Sequence, residues 1–460
     1  MRRWMRPIAV LLALLPATAG AEVPLELALA KTYLENPRLQ AARARLRAVD
    51  EGLPIARAGK RPRLEARSRA SLRRLDRREG SDTLQTLRQS LTLEQPVYDG
   101  GETRARIAGA EYAVRAERAR LQAIEQEILL EAIAAYTAVV RDQAVLELAL
   151  ANERRLQEYL LAVKDRYRFG QVTRTDVAQA ETRYAAAVAE REDAAGRLRA
   201  SGAGYRRVIG DPPGTLVMPG PPPGLPADLA AALEAVESHP EVLAARMDLE
   251  RAEQGVSEAR ALLYPRLALS AELAYANDPD LDSGHQSEAA IGALLTIPLY
   301  QGGGARARIR QSRQQATASR FALEDARRRV RETITAAFEA LETARARVES
   351  LATRLAAAEL ALAGVREEAR SGARTVLDVL DAEQELFEAQ TARVDAERAL
   401  VLAGYRLLAG IGRLTARDLD LEVTVYDEEA YYREVRGAWF GTEPPAPEGG
   451  GSAVDGSEER

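Results

Sequence analysis

The sequence predicts an α+β membrane protein made of two tandem copies of one unit, each a long α-helical hairpin carrying a pair of membrane-length β-strands. Three observations predict this: an internal repeat at a spacing of about 200 residues, two stretches without proline that are too long for ordinary helices, and alternating strands just before each stretch. Asn36-Pro37 matches His239-Pro240, and Pro62-Arg63-Leu64 matches Pro265-Arg266-Leu267, each pair 203 residues apart. Tyr98 to Gly101 (YDGG) matches Tyr300 to Gly303 (YQGG), and Gly170 and Asp176 match Gly372 and Asp378, at 202. Tyr205-Arg206 and Gly210 match Tyr405-Arg406 and Gly410 at 200. Anchors whose offset drifts by so little mark a tandem duplication.

Each unit opens on a helix with apolar recurrence, about Pro24 to Arg57 in the first copy and Pro226 to Leu263 in the second. A proline closes it, because the residue before proline avoids the α region. Two alternating strands follow, at 63–74 and 84–97, then at 266–276 and 287–300. One face of the second pair collects Leu267, Leu269, Ala271, Leu273 and Tyr275, with Ala289, Ile291, Ala293, Leu295, Ile297 and Leu299. In the first copy Leu64, Ala66, Ser68, Ala70 and Leu72 oppose Arg63, Glu65, Arg67, Arg69 and Arg73. Such lengths suit membrane strands of about 9–11 residues with one face to lipid and one to a lumen. A half-buried soluble sheet has the same alternation.

The long helices come next. No proline occurs between Pro96 and Pro212, or between Pro298 and Pro444. Thr103 to Arg168 as one helix is ~100 Å long. Gly170 and Gly372 then turn the chain, with Thr173 or Thr175, and Thr375, as N-caps of returning helices. The predicted domains are a signal peptide at 1–21, repeats at 22–210 and 227–410, a Pro/Gly linker at 211–226, a C-terminal segment at 411–442 and a disordered tail at 443–460. The leader rests on Arg2, Arg3 and Arg6, an apolar run from Ile8 to Leu15, and the small residues Ala19-Gly20-Ala21.

Composition narrows the function. Aromatics are 5% of the chain although 46% is hydrophobic, which favours close-packed Ala- and Leu-rich helices. There is no Cys, and the two His, His239 and His285, stand far apart, so neither a metal site nor a cofactor site is expected. A net charge of −5 offers no basic footprint for nucleic acid. The Arg run at 61–78 falls on alternate strand positions and a loop, as a solvated lumen and external loop require. No nucleophile–base cluster argues for an enzyme. Four strands cannot close a barrel and lipid tolerates no open edge, so several chains must share one; three supply twelve strands.

The most distinctive segments are SGARTVLDVLDAEQELFEAQ at 371–390 and FGQVTRTDVAQAETRY at 169–184. With the NP/HP turns, the P-R-L strand starts, the Tyr-x-Gly-Gly corners and YDEEAYYREVRGAWFG at 426–441, the mature chain resembles the TolC family of outer-membrane efflux and secretion channels. The resemblance implies a homotrimer with a twelve-strand barrel among outer-membrane lipids of a Gram-negative bacterium, continuing into a periplasmic α-helical barrel. It implies a passive exit duct for type I protein secretion or multidrug efflux, reached through a periplasmic adaptor (membrane fusion) protein from an inner-membrane ABC or proton-driven transporter. The absent Cys departs from the lipid-anchored branch. By the same resemblance Arg374, Thr175 and Asp176 form a gating latch, Asp378 and Asp381 an acidic constriction ring, and Gly170 and Gly372 the adaptor-docking tips. Ala369 stands where the family often has a latch Tyr. On the residues alone, Asp176 and Asp378 are equally helix-start residues. The competing architecture is a periplasmic adaptor or coiled-coil scaffold, which needs one hairpin per chain rather than two.

Overall fold

The computed structural model describes residues 22–77, 80–277, 284–371 and 373–445. The leader expected at 1–21 and most of the expected tail, 446–460, lie outside the described residues. In chain order come β1 (Glu22–Val23), α1 (Leu25–Glu35), α2 (Pro37–Asp50), α3 (Gly52–Ala58), β2 (Arg63–Arg77), β3 (Gly80–Tyr98), α4 (Glu102–Arg168) and α5 (Arg174–Ile209). The second half holds β4 (Thr215–Leu216), α6 (Leu229–Leu233), a 3-10 turn (Glu234–Ser238), α7 (Pro240–Ala261), β5 (Arg266–Asn277), β6 (His285–Thr296), α8 (Gly304–Arg370), α9 (Val376–Gly410) and α10 (Ala430–Val435).

The opening segments are not single helices. Asn36 is extended (φ −62°, ψ 122°), as its place before Pro37 demands, and its side chain accepts the Arg38 N–H to start α2. Its amide also donates to the Val208 carbonyl at 2.9 Å, tying the first helices to the end of α5. His239 does the equivalent work in the second copy. Its Nδ1 accepts the Glu241 N–H at 3.2 Å and starts α7. His239 is thus a helix cap.

β2, β3, β5 and β6 form one antiparallel sheet in that order. The register puts Leu64 beside Leu93, Leu93 beside Ala271 and Ala271 beside Ile291. One face is therefore apolar across all four strands. The other carries Arg67, Arg69, Arg88, Glu272 and Glu288, with Arg88 3.7 Å from Glu272 and 3.9 Å from Glu288. The first hairpin is longer than its alternation suggested: 15 and 19 residues against 12 and 12 in the second. Pairing continues through Arg73, Arg74 and Leu75 because ladder bonds need only a partner backbone, whatever the side chains. β6 in turn stops at Thr296, so Ile297 and Leu299 lie beyond the strand; Pro298 has no N–H for a ladder. The outer edges, β2 and β6, have no strand beside them among the described residues.

Each sheet hairpin passes to a long helix through a glycine corner. Gly100 has φ +69°, and a Cβ there would lie 2.8 Å from the Ala261 carbonyl oxygen, so only glycine lets the chain turn this close to α7. The Asp99 carboxylate accepts the Gly101 and Thr103 N–H groups and starts α4. α4 and α8 are 67 residues each, ~100 Å of unbroken helix. Their common core sits near mid-length, where Leu29, Leu46, Ile128, Ile133, Tyr136, Ile334, Leu341 and Leu407 are fully buried. The Tyr136 hydroxyl donates to the Val23 carbonyl at 2.7 Å and accepts the Val217 N–H, which fastens the β1–β4 pair over that core. No described helix is long and apolar enough to cross a membrane.

From residue 411 the chain runs along the first copy's helices. Leu414 and Ala416 join the core, the Tyr33 hydroxyl accepts the Tyr426 N–H, and Arg43 lies between the Tyr33 and Tyr426 rings at 4.5 and 5.1 Å. Tyr431 then donates to Glu51 at 2.7 Å, and Arg57 and Arg61 donate to the Arg436 and Ala438 carbonyls.

The paired caps differ in pH response. Burial holds His239 neutral, below the ordinary histidine value of 6.5. The unfolded chain therefore takes up the proton first. Stability is complete above that value and falls as pH drops through it toward the lower folded value. Thermal midpoints of the wild type are expected to fall between about pH 7.5 and 5, and His239→Asn, which caps in either condition, is expected to flatten that slope. Asn36→Ala is expected to cost ~1 kcal/mol for the cap and ~1–3 kcal/mol for the unpaired Val208 carbonyl at every pH.

Candidate functional site

Three places can carry function: the two faces of the sheet, the two hairpin tips, and the seam where the hairpins meet.

At the first tip α4 ends on Phe169, and Gly170 (φ +72°) reverses the chain. Gly170 N–H donates to Tyr167 O at 2.9 Å and Gln171 N–H to Arg166 O at 3.0 Å, which closes the helix end on itself. The second tip repeats the wider bond, Ala373 N–H to Glu368 O at 2.9 Å; Gly372 itself lies outside the described residues. Both returning helices begin with the same reciprocal cap. Thr173 Oγ1 accepts Asp176 N–H while the Asp176 carboxylate accepts Thr173 N–H at 2.7 Å; Thr375 and Asp378 do likewise at 2.8 Å. Of the two candidates in the first copy, Thr173 is the cap, and Thr175 lies within the first turn. The Thr375 N–H, then its hydroxyl, holds the Asp378 carboxyl below its ordinary range.

The predicted site residues thus lie at or near the tips, but not as one cluster in a single chain. Arg374 Nε donates to Glu368 of its own hairpin at 2.7 Å. Among the described residues it makes no bond to Thr175 or Asp176. Asp381 sits one turn beyond Asp378 on α9 and pairs with Arg183 of α5, linking the second hairpin to the first.

Sequence reading missed the seam. On α4, Val145, Ala149, Asn152, Leu156, Leu160 and Val163 are all buried, a heptad-like stripe facing α5 and α9. α9 answers with Val376, Leu380 and Phe387, while its Leu386 packs against Ala358 and Leu362 of α8. Two polar groups interrupt this apolar line. Asn152 is 1% exposed and neither amide atom has a partner among the described residues. Glu383, 6% exposed, lies between Arg155 of α4 at 3.3 Å and Arg366 of α8. A carboxylate at an apolar heptad position was the available signal. Farther up, Arg141 joins Asp142 at 2.9 Å and Asp395 of α9 at 3.4 Å. The hairpins are held by charge as well as by packing, and the ties are spaced along the seam toward the tips.

No group of His, Asp and Glu residues among those described is arranged to hold a metal. The arrangement presents a sheet with one apolar and one charged face, standing on long paired helices.

The sequence matches the model of the outer membrane efflux protein family twice, over residues 28–211 and 232–413, one match per repeat. It is 35% identical to outer membrane efflux protein BepC of Brucella suis, covering 91% of each chain. It is 28% identical to the alkaline protease secretion protein AprF of Pseudomonas aeruginosa, over 72% of this chain and 71% of that one. The fold superposes on the outer membrane protein VceC of Vibrio cholerae with a TM-score of 0.73, at 22% identity, covering 84% of this chain and 96% of that one.

Removing the Glu383 carboxylate leaves Arg155 and Arg366 facing each other without a counter-ion. Both are partly exposed, so Glu383→Leu is expected to cost less than the roughly 3–5 kcal/mol typical of a broken buried pair. Faster trypsin cleavage at Arg370 and Arg374 and faster amide exchange in the first turns of α9 are the expected outcomes. Thr375→Ala, worth ~1 kcal/mol at the cap, is expected to loosen only that first turn.

Proposed function

Because this chain belongs to the outer membrane efflux protein family, and is thereby an outer-membrane efflux channel rather than an enzyme, we propose that it works as the passive exit duct of a trimeric export machine. The observation that carries the reading is the four-stranded sheet, apolar on one face and charged on the other, with both edges open. Lipid leaves no edge unpaired, so β6 of one chain pairs with β2 of the next, and three chains close twelve strands. The apolar face meets outer-membrane lipid and the charged face lines water. The α4–α5 and α8–α9 hairpins of three chains then extend the passage through the periplasm.

In this reading the tips at Gly170 and Gly372 receive a periplasmic adaptor, which joins the duct to an inner-membrane ABC or proton-driven transporter that supplies the energy. The kinship with a protease-secretion protein supports type I protein secretion; the kinship with an efflux protein supports small-molecule export. The gate is at the tips. Arg374 reaches Thr175 and Asp176 across the assembled trimer, and Asp378 and Asp381 from three chains form an acidic ring that favours cations. Ala369 contributes no polar link, so closure relies on Arg374 and on the ties along the seam.

Single-channel currents in a planar bilayer test the duct and latch together. Wild type is expected to give small cation-selective currents, and Arg374→Ala combined with Asp176→Ala currents several-fold larger. Equal currents would keep the duct and remove the latch. No current from inserted protein would favour the periplasmic adaptor architecture instead.

A further inference from the structure

The C-terminal segment climbs the first copy's helices in step with them. Tyr426 meets Tyr33 and Arg43, Tyr431 meets Glu51, Arg436 meets Arg57, and Ala438 meets Arg61. β2 begins at Arg63, two residues past Arg61. The climb therefore ends at the rim where helices give way to sheet.

At that rim the chain turns two aromatic side chains outward. Trp439 is 59% exposed and Phe440 93% exposed. They are held there by the backbone rather than by packing. Arg57 and Arg61 donate at 2.6 Å to the Arg436 and Ala438 carbonyls, and the Arg61 guanidinium lies 4.5 Å from the Trp439 ring centre. Lys60, exposed beside them, has its own carbonyl accepting from Gln95 of β3 at 3.0 Å. Aromatic rings and long cations at the water-side end of an apolar sheet face are the chemistry of a membrane interface. The rings sit at headgroup depth while the cations reach lipid phosphate.

We propose that Trp439 and Phe440, positioned by Arg57 and Arg61, form an interfacial anchor that seats the periplasmic rim of the barrel in the phospholipid headgroup layer. The occupant is the bilayer itself, argued from continuity with the apolar face that begins at Leu64 and from the cations beside the rings. The anchor fixes the depth of the barrel and couples it to the segment that binds α1 to α3. This inference rests on the barrel reading.

The sequence supplies a probe. Its two tryptophans are Trp4, inside the expected leader, and Trp439, so the exported chain, with Trp4→Phe in any form that keeps the leader, reports from Trp439 alone. That protein is reconstituted in phosphatidylcholine vesicles, and insertion is established first by co-flotation and by conductance. Its emission is then compared in ordinary lipid and in lipid brominated near the headgroup end of the acyl chains, with acrylamide as the aqueous quencher. The anchor predicts loss of most Trp439 emission in brominated lipid and weak quenching by acrylamide. Adding Arg61→Ala is expected to red-shift the emission and reduce the lipid quenching while the channel still inserts.

An inserted, conducting protein whose Trp439 is unquenched by brominated lipid and open to acrylamide overturns the anchor and leaves the barrel standing. Protection from both quenchers overturns it in favour of burial against a neighbouring subunit. Failure to float or conduct overturns the barrel reading instead.

Discussion

Hydrocarbon offers no partner for a backbone N–H or carbonyl, and most of this architecture follows from that. A sheet of four strands, β2-β3-β5-β6, satisfies its interior ladders and leaves two edges. Its apolar face, from Leu64 through Leu93 and Ala271 to Ile291, belongs in lipid, where an open edge is not tolerated. The remedy is other copies of the same chain. Once the sheet is one part of a closed ring, the helices beneath it become staves of a second ring, and their exposed faces have somewhere to go. α8 illustrates this: within one chain it buries only a stripe from Ala305 through Leu323, Ile334 and Leu341 to Leu362, and the rest is left for neighbours or water.

The duplication gives each chain two similar hairpins, yet the copies differ where work is done. Asn36 and His239 cap equivalent helices, one with an amide that is indifferent to pH and one with an imidazole that is not. The first corner is built on the Asp99 carboxylate; in the second, Gln301 reaches instead for the Leu262 carbonyl. The first sheet hairpin outgrows the second. The two tips therefore carry matching caps in unlike surroundings.

The seam between the hairpins carries the energetic compromise. An apolar stripe from Val145 to Val163 would join them permanently if it were unbroken. Asn152, without partners among the described residues, and Glu383, between Arg155 and Arg366, interrupt it at set points. Asp381 and Arg183 add a partly exposed pair nearer the tip.

The sequence by itself determined the local and periodic features. Proline-free length specified the long helices, Gly170 the first tip, the threonine–aspartate spacing the second cap, and strict alternation the two faces of the sheet. These depend on contacts within a few residues or on a period that the chain displays directly. Only the tertiary structure decided the rest. It chose Thr173 over Thr175, extended β2 to Arg77, ended β6 at Thr296, gave His239 its capping role, joined Glu383 to Arg155 and Arg366, and carried Trp439 to the rim of the sheet. The Thr173 and His239 caps and the end of β6 before Pro298 are local choices that the sequence left open, whereas the Glu383 ties and the place of Trp439 rest on groups brought together from distant parts of the chain. Such meetings depend on where two elements lie in space, and no period along a single chain records that.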